Sequence, residues 1–182
     1  METTPFFIFL FLHLGFLVLG FGSVLVTDLY GLLWVRNHVR FTQIISVSGV
    51  TKNFIWAGWI GMVASGIPLI IFKGEVDNLT MIKIFFVAVI GINGILLHMI
   101  HKKVEIYQKG EHVPNQFMFR LILSLTVSQI GWWSAVVIGF LHRHIATVID
   151  WPDKPVLASG LILAGMLFIW GAGELFFKAK EE

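Results

Sequence analysis

Five residues of this chain carry side chains that can do chemistry at places where such groups are expensive. His13, Lys83 and His98 interrupt long apolar runs, while His101 and His142 lie at the ends of such runs. An ionisable group within lipid costs several kcal/mol unless it is turned inward and partnered, so each of these positions asks for an explanation. Neutral imidazole is a good axial ligand for haem iron, and an apolar helical pocket supplies the dry, aromatic-walled surroundings that a macrocycle needs. The pieces for one b-type haem are His13 as first ligand and Lys83 or His142 as a second ligand or propionate partner. Copper is the competing metal, with His13, His98 and His101 as imidazole ligands. Met62, Met81, Met99, Met118 and Met166 form no close methionine pair of the kind that soft-ligand copper transport favours. No P-loop, HExxH or nucleophile elbow is present, and no catalytic residue is assigned.

The elements that must position these groups follow from composition. Of 182 residues, 57% are hydrophobic and 13% charged, with 17 Phe, 7 Trp and 18 Gly. A soluble domain has about 25% charged residues, so a water-soluble globule is excluded. Gly permits close helix contact, and Trp and Tyr favour membrane interfaces. The absence of cysteine excludes disulfides, thiolate-held clusters and thioether-linked haem. A net charge of +2 gives no reason to expect nucleic acid.

About 20 apolar residues cross the hydrocarbon core as a helix. Five segments qualify, over about 5–35, 53–72, 79–100, 121–141 and 155–177. The run after Met1-Glu2-Thr3-Thr4 lacks a basic leader and is too long for a signal peptide, so it reads as the first transmembrane helix. The expected fold is therefore all-α: a polytopic membrane helix bundle forming a single integral membrane domain over 1–182. Arg36, Arg40, Lys52, Lys102, Lys103, Lys109, Arg120, Lys178 and Lys180 flank one side. Lys73, Lys83, Arg143 and Lys154 flank the other, which places the N-terminus out and the C-terminus in, in a bacterial inner (cytoplasmic) membrane. Stretches 36–51 and 102–119 read as the longest loops. Residues 73–78 offer a cap for the third helix, Asp153 offers one for the fifth, and Glu174 is spaced to pair with Lys178.

Positions three, four and seven apart share a helix face. Small and polar residues gather on such faces: His13, Gly20, Val24, Thr27, Asp28 and Gly31 in the first helix, and Asn53, Ala57, Gly61, Ala64 and Pro68 in the second. The third offers Lys83, Val87, Gly91, Gly94, His98 and His101, and the fourth Ser124, Ser128, Gly131, Ala135, Gly139 and His142. These seams should face other helices, within the chain or in a homo-oligomer or membrane complex. His13 lies about 12 Å along its helix from Pro5, too deep for imidazole to snorkel. Lys83, with its longer stem, can reach the headgroups, and His98 and His101 border a basic loop.

His13-Leu14-Gly15 followed by Gly20-Phe21-Gly22-Ser23, Met81-Ile82-Lys83-Ile84 opening the third helix, and His98 near its far end together resemble a known pattern. It is that of the broad superfamily containing copper-resistance protein D and the HemJ-type protoporphyrinogen oxidases. The resemblance covers helices one to four and implies haem b bound through His13 and Lys83. After the first helix the chain reads Leu29-Tyr30-Gly31-Leu32-Leu33, without the Tyr-Leu-Pro-Arg-Leu stretch of HemJ-type proteins. A haem-binding relative is thus expected rather than the oxidase, exchanging electrons with a membrane-soluble donor such as a quinone (as quinol) or a porphyrin (as porphyrinogen). The alternative is a non-catalytic membrane-complex subunit or a metal-handling membrane protein.

Overall fold

The computed structural model describes residues 4–104, 114–144 and 150–181. They are helical almost throughout: α1 (Thr4–Val35), α2 (Phe41–Lys73), α3 (Asn78–Val104), α4 (Asn115–His144) and α5 (Pro155–Glu181). Each contains a stretch long and apolar enough to span a membrane. The expectation of an all-α, five-helix membrane protein therefore holds. The chain divides into two compact units, Met1–Val76 and Asp77–Glu182.

The first unit is the α1–α2 hairpin. Asn37 ends α1 in the left-handed conformation (φ 59°). The Asn37 amide donates to Trp34 O and the His38 amide to Leu33 O, both at 2.8 Å, which satisfies carbonyls the helix end would orphan. At the start of α2, Gln43 Oε1 accepts the Arg40 amide at 2.8 Å. The helix therefore begins at Phe41 and not at Asn53, and most of the expected 36–51 loop is helical. Its first turns carry Thr42, Gln43, Ser46, Ser48 and Thr51, so they fail an apolarity count. Ser48 and Thr51 donate to the carbonyls of Ile45 and Val47, which satisfies their hydroxyls within the helix. Gly74 closes α2 at φ 81°, a conformation that favours glycine.

Small residues set the spacing of this pair. A Cβ on Gly58 would collide with the Gly20 backbone, and one on Gly61 with the Phe16 ring. Gly20, Phe21 and Val24 are buried on α1, as the first-helix seam anticipates. The buried face of α2 is Thr51, Gly58, Gly61, Met62 and Ser65. This corrects the expected seam, since Asn53, Ala57 and Ala64 are exposed. The closest backbone approach, at Gly20 and Gly58, sets the rotation of α2.

In the second unit α3 packs on α4, and α5 contacts both. Leu79, Ile82, Phe86 and Ile138 form a core, with Phe85 and Ala158 packed against it. Phe117, Ser124, Ser128, Gly131, Trp132, Ala135 and Ile138 line the buried face of α4. The fourth-helix seam is thus nearly the one expected. On α3 the buried stripe runs through Leu79, Ile82, Phe86, Ile90, Gly91 and Asn93; of the predicted stripe Gly91 is buried, while Lys83, Val87 and Gly94 lie at its edge and His98 is exposed. Bulky apolar residues take the centre and leave the lysine at its edge. Asp77 Oδ1 caps α3 by accepting the Thr80 amide at 2.8 Å, as expected of the 73–78 segment. The cap position of α5 falls on Lys154 and not on Asp153, because Pro155 opens the helix and the Ala158 amide donates to Lys154 O at 3.0 Å.

Candidate cofactor site

His13 faces α2 at half burial. Its Nδ1 lies 3.1 Å from Met62 O and 3.1 Å from Ser65 Oγ. A carbonyl only accepts, so the Met62 contact is a hydrogen bond in the tautomer that carries the proton on Nδ1, and it favours that tautomer. The Ser65 hydroxyl donates to Gly61 O at 2.6 Å, which leaves its lone pairs toward the imidazole. In that tautomer the Nδ1 proton is shared between two acceptors, and in the neutral ring the lone pair resides on Nε2. Gly66 lies beside the ring: a Cβ there would stand 3.4 Å from His13 Cε1. Further along the hairpin, the Thr27 and Thr51 hydroxyls meet at 2.7 Å. Polar contacts thus lie on either side of the glycine crossing.

A histidine held in this way would be able to ligate a haem iron through its other nitrogen. Metal-ligating histidines almost always donate their second ring N–H to a carbonyl or carboxylate, which fixes tautomer and orientation. Met62 O does this for His13. Phe16 packs on Gly61 beside it, and Trp56 and Trp59 meet edge to face on the same helix with centroids 5.7 Å apart.

The other candidates belong to the second unit. His142 Nδ1 stands 3.3 Å from Asp77 Oδ2, joining the end of α4 to the cap of α3. Lys83 Nζ lies 3.5 Å from where a Cβ of Gly139 would stand. His98 is exposed, and the His101 side chain lies outside the described residues. Among the described residues no group of three or more His, Cys, Asp or Glu is arranged to hold a metal ion. Of the aromatic residues of this unit, Phe86 and Trp132 are buried, whereas Trp133 is exposed.

Two polar contacts in this unit have no counterpart in the sequence reading. Asn93 Nδ2 donates to Ser124 O at 2.9 Å, and Ser124 Oγ returns a bond to Asn93 Oδ1 at 2.6 Å. The expected pairing of Glu174 with Lys178 falls on a side chain outside the described residues. Arg120 grips both carboxylate oxygens of Glu174, at 2.6 and 2.7 Å, and Gln116 adds a third donor at 2.6 Å. Bidentate guanidinium geometry makes this bond to α4 strong and directional. Gln116 and Arg120 are four apart, and that spacing was the available signal. Likewise Ser65 was legible as the residue four beyond Gly61 and seven beyond Gly58.

Comparison with known proteins adds no assignment to this geometry: no family model, curated protein or solved structure matches the chain.

Proposed function

We propose that this chain is an integral membrane protein that binds a single haem b through His13 Nε2 and passes single electrons. The donor would be membrane-soluble, a quinol or a porphyrinogen. The observation that carries this reading is the Nδ1 contact with Met62 O, which selects the ligating tautomer within an apolar helix. When bound, the haem supplies reversible one-electron chemistry at its iron. Met62 and Ser65 hold the imidazole plane, Gly66 leaves room beside it, and the apolar helices exclude water. The N-terminus is read as outside and the C-terminus as inside, from the distribution of Lys and Arg. The test is haem content after expression with added haem. One haem per chain is expected in the wild type and none in His13→Ala, with Ser65→Ala retaining haem at lower affinity. Haem-free wild-type protein would overturn the proposal.

The same contacts favour a second reading, a non-catalytic membrane-complex subunit in which His13 only fastens α1 to α2. That reading expects colourless wild-type protein and a loss of stability in His13→Ala.

A further inference from the structure

Lys83 lies within the apolar stretch of α3 at half burial, and among the described residues it makes no hydrogen bond or ion pair. Three contacts fix its level against α4. Asp77 meets His142, a Cβ on Gly131 would meet Ile90 Cγ1, and Asn93 bonds Ser124. In that antiparallel register Lys83 stands opposite Val136. Its Nζ nevertheless lies beside Gly139, three residues further along α4, a climb of about 4.5 Å by helical rise. The side chain therefore runs toward the Asp77–His142 end and uses the gap left by a residue without a side chain. The carboxylate at that end, Asp77, is already occupied by the Thr80 amide and by His142. An ammonium so placed is costly without an anion.

We propose that Lys83, in the slot over Gly139, binds the phosphate of an anionic phospholipid from the leaflet at the Asp77–His142 end. Charge complementarity supplies the head of this site. The residues next in sequence, Ile84, Val137 and Phe140, are exposed apolar side chains against which acyl chains can lie. The proposal is independent of haem binding. It is tested by native mass spectrometry and thermal unfolding of the full chain in mixed micelles. The added probes are phosphatidylglycerol, phosphatidylcholine or inorganic phosphate. Phosphatidylglycerol should be retained and should raise the melting temperature in the wild type and in Lys83→Arg. Lys83→Met should bind it about fivefold more weakly, the effect of removing one cation near an anionic headgroup. Gly139→Leu, which keeps the charge but fills the slot, should also weaken retention, and it serves as the test if Lys83→Met fails to fold. Equal retention by the wild type and these variants would overturn the site. An equal stabilisation by inorganic phosphate would overturn the lipid as its source.

Discussion

Gly58→Ala adds one methyl group where α1 and α2 come closest, and its effect can be worked from distances. The new Cβ would stand 2.5 Å from Gly20 N and 2.8 Å from Phe16 O. Ordinary contact begins near 3.4 Å, and the obstacles are backbone atoms that cannot swing aside. The helices must therefore part by about 0.6–0.9 Å at the crossing, an overpacking strain of about 1–3 kcal/mol. The gain in helix propensity from Gly to Ala offsets up to about 1 kcal/mol of that. Backbone contacts this short put the strain in the upper half of that range, so a net loss of about 1–2 kcal/mol follows, a five- to thirtyfold fall in the folded ratio. Parting the helices also stretches the bonds from His13 to Met62 and Thr27 to Thr51. Gly15→Ala is the control: nothing lies within 4 Å of its Cβ position, so it should be neutral or slightly stabilising. The assay is reversible unfolding of the full chain in mixed micelles of increasing dodecyl sulfate fraction, read by Trp fluorescence. If Gly58→Ala and Gly15→Ala unfold at the same midpoint, the hairpin packing described here is wrong.

Glu174→Gln leaves Arg120 without its carboxylate; the guanidinium is about one third exposed (35%) and partly hydrated, so a loss of about 1–2 kcal/mol is expected in the same unfolding assay. The double variant Arg120→Met/Glu174→Leu should recover part of that loss, which would show that the uncompensated charge and not the missing bond dominates. Asn93→Leu removes both bonds to Ser124 and should cost about 0.6–1.7 kcal/mol, the range for hydrogen bonds between membrane helices. Because the chain has no cysteine, single introduced thiols report topology: with intact cells and an impermeant maleimide, Asp153→Cys should label from outside and His38→Cys should not.

The spans were legible because lipid imposes a length and a composition on any helix that crosses it. The ends of α2 and α4 were less so, since Thr42–Thr51 and Asn115–Arg120 are helical by hydrogen bonding and packing but polar enough to read as loop. On α1 and α4 the small-residue faces were correctly read, because Gly20, Ser124, Ser128 and Gly131 mark the side a neighbour can approach. On α2 and α3 the choice was right at Gly61 and Gly91 and wrong at residues such as Asn53, Ala57, Ala64 and His98, which are exposed. A glycine need not mark a contact: the Cβ positions of Gly15 and Gly22 meet nothing within 4 Å, and only the partner helix decides which face is used. The placement of His13 against α2 could not be read at all: it depends on the relative rotation of two helices, set by Gly58 against Gly20, and on a backbone carbonyl, which has no sequence signature. The bond from Glu174 to Arg120 was illegible for a related reason, in that periodicity within α5 says nothing about Arg120 on α4.

The central claim, that His13 presents Nε2 to a haem iron, is tested most directly by optical absorption of detergent-purified His13→Gly with and without added imidazole. A Soret band present in the wild type, lost in His13→Gly and restored by free imidazole in the vacated position is the predicted result. A wild-type protein without that band, or a His13→Gly protein that keeps it unchanged, would contradict the account.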